Sequence, residues 1–260
     1  MGNPGRKAEM SAFLKDKIAV VTGASRGLGR AIAVALAAEG VRVALAGRDE
    51  ARLAETAAAA RERGGEAVPF KVDVTSEEQV LAFEREVRSR LGPARILVNN
   101  AGVNLRKPVT AFTLGEWRWV LDSNLTSAFL MCRSFVPHMQ GTGYGRILNL
   151  TSIMSHVSLP GRAAYSASKA GLLGLTRALA MELADGGVTV VGISPGPVAT
   201  EINAEILNDP AVNAQFLARI PVGRWGRPED IGSLAVYLCS EEAAFITGGD
   251  VIIDGGWLAQ

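Results

Sequence analysis

Short β-branched runs alternate with longer helical patterns between residues 17 and 253, and that alternation leaves few folds open. Residues 17–22 (KIAVVT) read as a buried strand. Residues 30–40, alanine-rich and closed by glycine, read as the helix after it. The pair recurs, with strands over 41–46, 67–72, 95–99, 145–151 and 188–193 and helices over 49–63, 76–91, 113–139, 161–184 and 201–220. A helix over 228–240, opened by Pro228, and a strand over 251–253 complete the pattern. Such alternation predicts an α/β fold, a doubly wound parallel sheet with helices on both faces.

No shift of composition interrupts the pattern, so one domain over 17–260 is expected, with a less apolar insert at 201–225. Residues 1–16 are expected to form a flexible tail without the apolar core of a signal peptide, and Met10 is a second candidate start. A formal net charge of +1 gives no reason to expect nucleic acid or an anionic membrane as partner. No apolar run is long enough to span a bilayer. Cys132 and Cys239 are too few for a disulfide framework and suit reduced thiols in a cytoplasmic protein. His138 and His156 have no convergent acids, so no metal site is expected.

Chemistry enters at the turn after the first strand, Gly23-Ala-Ser25-Arg26-Gly27-Leu28-Gly29. Glycines between a strand and a helix let the backbone approach a pyrophosphate, and the helix N-terminus offers free N–H groups to it. An acid that would hold the 2′-hydroxyl of NAD is expected at the end of the second strand. That strand ends Ala46-Gly47-Arg48 instead. With Arg26, Arg48 suits a 2′-phosphate, so NADP(H) is expected over NAD(H), with Asp49 next door as the one competing acid.

Tyr165 and Lys169 lie four residues apart at the start of a helical pattern, hence on one face. An ammonium near a phenol stabilises the phenolate, and a tyrosine so tuned can exchange a proton with a carbonyl or alcohol oxygen. Ser152, upstream, can hold that oxygen. Asn124 lies inside a helical pattern that disfavours it, where it needs hydrogen-bond partners and could hold a water. Asp73, Asn100-Ala101-Gly102 and Pro195-Gly196-Pro197-Val198-Ala199-Thr200 follow strand ends, the edge where doubly wound sheets bind ligands.

In order and approximate spacing, these motifs resemble the short-chain dehydrogenase/reductase family in its single-domain, Rossmann-fold branch. The likeness runs from about residue 17 to 257. It implies a homotetramer acting on a small carbonyl or alcohol substrate, its subunits paired through helices 113–139 and 161–184 and through the last helix and strand. It implies Tyr165 as general acid and base, Lys169 lowering its pKa and binding ribose hydroxyls, Ser152 on the substrate oxygen, and Asn124 holding a relay water. It assigns Asp73 and Val74 to adenine, Asn100, Ala101 and Gly102 to ribose, and Val198 and Thr200 to the carboxamide. One departure stands out: relatives often carry asparagine two residues before the Ile-Ser-Pro-Gly turn, where this chain has Val191 and Gly192.

Substrate choice is expected to fall to residues 103–110, 153–162 and 201–225, with His156, Arg106 and Trp225 as candidates. The runs after Gly102 and around Trp225 are similar to gluconate 5-dehydrogenases. The framework is similar also to 3-oxoacyl-[acyl-carrier-protein] reductases. A non-catalytic NADP-binding sensor on this fold is the alternative of another class; it predicts a broken tetrad, where this chain has Asn124, Ser152, Tyr165 and Lys169.

Overall fold

The computed structural model describes residue 9 and residues 12–259. Its centre is a seven-stranded sheet: β1 (Ile18–Thr22), β2 (Arg42–Gly47), β3 (Glu66–Lys71), β4 (Ile96–Asn99), β5 (Gly145–Leu150), β6 (Val188–Pro195) and β7 (Asp250–Ile253). The order is β3-β2-β1-β4-β5-β6-β7, every pair parallel. The strand order reverses between β1 and β4, which opens a crevice at their carboxyl ends.

The helices are α1 (Gly27–Ala38), α2 (Glu50–Glu62), α3 (Glu77–Arg90), α4 (Leu114–Leu121), α5 (Ser127–Phe135), α6 (Ala163–Leu183), α7 (Ala204–Asn208), α8 (Pro210–Ala218) and α9 (Pro228–Cys239). One face of the sheet packs under α1, α2 and α9 around Ile32, Leu36, Leu53 and Ile231. The other packs under α3, α5 and α6 around Phe83, Met131, Phe135 and Leu183. Asp49 and Ser76 cap α2 and α3 by accepting the N–H of Arg52 and Gln79.

Two expectations meet a different structure. The helix expected over 113–139 is broken by a π-helical turn, Asp122–Thr126, and ends in a 3-10 turn around Pro137. The extra residue of the π turn lets Asn124 reach inward, and Ser127 Oγ bonds the Ser123 carbonyl at 2.7 Å. The second concerns the tail. Leu14 is wholly buried, and Phe13 meets the edge of Tyr144 with ring centroids 5.3 Å apart. Lys17 Nζ lies over both rings. Residues 12–16 therefore belong to the domain, while 1–8, 10 and 11 lie outside the described residues. Leu14→Ala is expected to cost about 2–5 kcal/mol in urea unfolding; a cost near zero would show that the docked turn contributes nothing.

His138, at the end of the 3-10 turn Val136–His138, is buried. Its Nδ1 accepts the Ala94 N–H at 3.1 Å, so Nε2 carries the proton facing Glu84 at 2.6 Å.

Candidate active site

Thr22 and Asn100 tie the two strand ends of the crevice together. Thr22 Oγ1 accepts the N–H groups of Asn100 and Ala101, each at 3.0 Å. Asn100 Nδ2 donates to the carbonyls of Thr22 and Gly23 at 2.9 and 3.2 Å. The glycine turn folds over this staple, with Gly23 and Gly27 at φ +63° and +54°. A Cβ on Gly29 would lie 2.3 Å from the Gly23 carbonyl oxygen and 2.4 Å from Asn100 Nδ2. Only glycine lets α1 start this close to the turn.

Every residue expected to hold the cofactor lines this one cleft except Gly29, which packs beneath it. Ser25, Leu28, Val74, Pro195 and Gly196 are on its walls, with Val198 and Thr200 at one end. At the other end Arg48, an exposed side chain, stands 3.9 Å from Asp73. Asp73 accepts Thr75 N and Oγ1 at 3.0 and 2.7 Å. Burial works to raise the Asp73 carboxyl, but the Thr75 hydrogen bonds and Arg48 outweigh it and hold the group below its ordinary value. Asp49, the competing acid, is engaged elsewhere: it caps α2 and lies 3.5 Å from Arg52 Nε.

Arg26 is not free. Glu201 Oε2 accepts from Arg26 Nη1 at 3.0 Å and from Arg52 Nη1 at 2.9 Å. Glu201 thus joins the insert to the glycine turn and α2 across the mouth of the cleft. Neither Glu201 nor Thr22 stands among the site residues expected from sequence. A threonine ending a strand was the only signal for Thr22, and nothing local marks Glu201.

Ser152, Tyr165 and Lys169 meet in the middle of the cleft. Ser152 follows β5 and opens a 3-10 turn, Ile153–Ser155, its Oγ accepting the Met154 N–H at 3.1 Å. Helix α6 carries Tyr165 and Lys169 on one face. Lys169 is buried, its Nζ donating to the Leu150 carbonyl at 2.5 Å and lying 5.7 Å from the Tyr165 ring centroid. Burial draws the Lys169 ammonium down to about 8. Burial also raises the Tyr165 phenol. The groups that pull it back are the Ser152 hydroxyl, Arg162 and Arg106.

Asn124 sits behind the cleft. Its Oδ1 accepts the Val103 N–H at 2.7 Å, and its Nδ2 donates to the Val103 carbonyl at 3.0 Å and to Ser168 Oγ at 2.9 Å. Both amide hydrogens thus have protein partners. In this arrangement the side chain pins the loop after β4 to α6.

The three substrate candidates do not line the cleft. Arg106 Nη2 donates to Asn203 Oδ1 at 3.2 Å and to the Ile202 carbonyl at 3.4 Å, holding the insert. Trp225 stacks on Phe216 and bonds Asn213 Oδ1 at 2.8 Å. His156 pairs with Asp250. Among the described residues no cluster of three metal-ligating side chains exists.

Residues 23–258 match the family model described as enoyl-(acyl carrier protein) reductase. 3beta-hydroxysteroid dehydrogenase 1 of Eggerthella lenta is 41% identical over 245 residues, 94% of either chain. Acetoacetyl-CoA reductase of Shinella zoogloeoides is 40% identical over 243 residues, 93% of this chain and 98% of that protein. The structure of a gluconate 5-dehydrogenase from Burkholderia cenocepacia J2315, in complex with NADP and tartrate, superposes with a TM-score of 0.91 at 32% identity, covering 97% of this chain and 99% of that one. The chain belongs to the short-chain dehydrogenase/reductase family. It is an oxidoreductase of the kind that acts on hydroxyl and keto groups.

Proposed function

We propose that the protein is an NADP(H)-dependent oxidoreductase that interconverts a ketone and a secondary alcohol. The observation that carries this is the meeting of Ser152, Tyr165 and Lys169 in the cleft that the glycine turn and Arg48 also line. The cleft fits the cofactor: Gly23 and Gly29 leave no room for a Cβ beside Asn100, and Arg48 is exposed, 3.9 Å from Asp73. The bound nicotinamide supplies or accepts the hydride. The chain does the rest. Ser152 donates a hydrogen bond to the substrate oxygen, and Tyr165 gives that oxygen a proton in reduction and takes it back in oxidation. Lys169 holds the ribose hydroxyls, and Asn124 keeps Val103 against α6.

The substrate we infer is a sugar acid. Arg162 is half-buried at the start of α6, and burial and the like charge of Arg106 lower its pKa. Both guanidinium groups act on the Tyr165 phenol. Arg106 is paired with Glu205 at 3.6 Å, so the charge left beside the proton donor for an anionic ketone is that of Arg162, in keeping with the likeness to a gluconate 5-dehydrogenase. A 3-oxoacyl thioester, on acyl carrier protein or coenzyme A, is the second reading, favoured by the likeness to acetoacetyl-CoA reductase. Against a non-catalytic sensor stand the four side chains of the tetrad, all present.

The assembly we infer is a homotetramer in the cytoplasm. Leu114, Trp119 and Phe129 are exposed on α4 and α5, and Tyr237, Phe245 and Ile252 around α9 and β7. These are the two regions where subunits were expected to pair. No helix among the described residues is long and apolar enough to cross a membrane.

The decisive assay follows NADPH oxidation with 5-keto-D-gluconate and with acetoacetyl-CoA. Turnover of the first and not the second supports the sugar-acid reading; the reverse supports the thioester. In the same preparation Arg48→Ala is expected to weaken NADPH binding about tenfold, from the loss of one charge-assisted contact, and to leave NADH binding unchanged. Equal loss for both would remove the argument for a 2′-phosphate site.

A further inference from the structure

Gly192 lies where β6 pairs with the last strand, and the structure shows what a glycine permits there. Gly192 in β6 pairs with Asp250, the first residue of β7. A Cβ on Gly192 would lie 2.5 Å from Asp250 Cβ and 3.1 Å from Thr151 Oγ1. No side chain larger than hydrogen fits with Asp250 where it is. The Asp250 side chain is 9% exposed, and its Oδ2 meets two groups. One is His156 Nε2 at 2.8 Å. The other is the hydroxyl of Ser194, which is wholly buried.

Ser194 Oγ in turn lies 3.1 Å from the carbonyl oxygen of Ser152 and 3.0 Å from Thr151 Oγ1. Its single proton can serve the Ser152 carbonyl or the Asp250 carboxylate, and the charged acceptor makes the stronger bond. With that proton on Asp250, the Ser194 hydroxyl oxygen faces the Ser152 carbonyl without a hydrogen bond to it. His156 closes the 3-10 turn that Ser152 opens, its N–H donating to the Ile153 carbonyl at 3.0 Å. The carboxylate therefore grips the turn that presents Ser152 at its back, through His156, and takes the one proton that Ser194 could give to the Ser152 carbonyl.

We propose that Asp250 is a positioning residue for the Ser152 hydroxyl, acting through His156 at the back of the turn, with Gly192 as the gap that admits it. Asp250 does not line the cleft. Its effect on turnover rests on the reading above, in which Ser152 holds the substrate oxygen; its effect on the turn does not. Displacing a group in a reacting geometry by about 1 Å can cost about a hundredfold in rate.

The test compares Asp250→Ala, Asp250→Asn, His156→Leu and His156→Gln in the full chain. Hydrogen exchange of the peptide spanning residues 152–157 is read without any substrate. Asp250→Ala is expected to speed that exchange about tenfold or more and to lower kcat for 5-keto-D-gluconate about 10- to 100-fold, with NADPH affinity, measured by fluorescence, within about twofold of the parent. Asp250→Asn keeps the shape of the side chain and provides a readout if the alanine variant does not fold; a smaller effect of the same sign is expected. His156→Gln keeps an N–H donor and should retain most of the rate that His156→Leu loses. Unchanged exchange over 152–157, or NADPH affinity falling in step with kcat, would overturn the proposal. If the parent protein does not reduce 5-keto-D-gluconate but exchange responds as stated, the substrate reading fails and the brace stands.

Discussion

Tyr165→Phe is expected to lower turnover by about 10²- to 10⁴-fold, the range that a general acid or base contributes, while NADPH still binds. Phenylalanine keeps the ring that packs at the head of α6 and removes only the hydroxyl. Stopped turnover with intact cofactor binding therefore isolates proton transfer. The two directions should also differ in pH dependence. Burial raises the Tyr165 phenol, and the Ser152 hydroxyl with Arg162 and Arg106 offsets this only in part. A raised pKa keeps the phenol protonated at neutral pH, which suits reduction, where it gives up its proton. Oxidation needs the phenolate. Its rate should climb as pH rises through the alkaline range, while reduction stays flat until the phenol begins to ionise. A Tyr165→Phe protein with parent-level activity would end this mechanism.

What the sequence revealed of the site follows from what is local in the chain. The glycine turn, the Arg48 that replaces an acid, and the Tyr165–Lys169 spacing are each short stretches whose geometry is set by neighbouring residues, and each lies where it was expected. The sheet was legible for the same reason, since most of its strands are short apolar runs bounded by turns. The unread features depend on contacts between distant segments. Glu201 meets Arg26 and Arg52 only because the insert folds across the mouth of the cleft. Asp250 reaches Ser194 and His156 only because β6 and β7 pair in one register. The π turn at Asn124 has no periodic signature, because one added residue leaves the pattern on either side intact. Leu14 was assigned to a tail because a single helical turn is too short to show a period, yet it is among the wholly buried residues.

Lys169→Met is expected to abolish turnover and to make the protein more stable. The buried ammonium has one hydrogen bond given by the structure, to the Leu150 carbonyl, and burial lowers its pKa from 10.5 to about 8. A folded-state pKa below the unfolded one means that the unfolded chain binds the proton more tightly. Below pH 8 both states carry the proton, and the folded state bears the whole penalty. Between about pH 8 and 10.5 the folded state sheds it first, so stability gained from this group rises with pH; above that window the penalty is gone. The shift corresponds to about 3 kcal/mol at neutral pH. Methionine removes that penalty but leaves the Leu150 carbonyl without its donor, which costs about 1 kcal/mol, so a net gain of about 2 kcal/mol is expected at pH 7. Urea unfolding of both proteins at pH 7 and pH 10 measures it, and the gain should shrink at the higher pH. A variant less stable than its parent at pH 7, or a difference indifferent to pH, would show that the ammonium is not held at a cost. Where the cost is found, it locates the reason for this lysine outside folding: a charge that destabilises the fold at the centre of the cleft is kept for what it does to the ligand and the proton beside it.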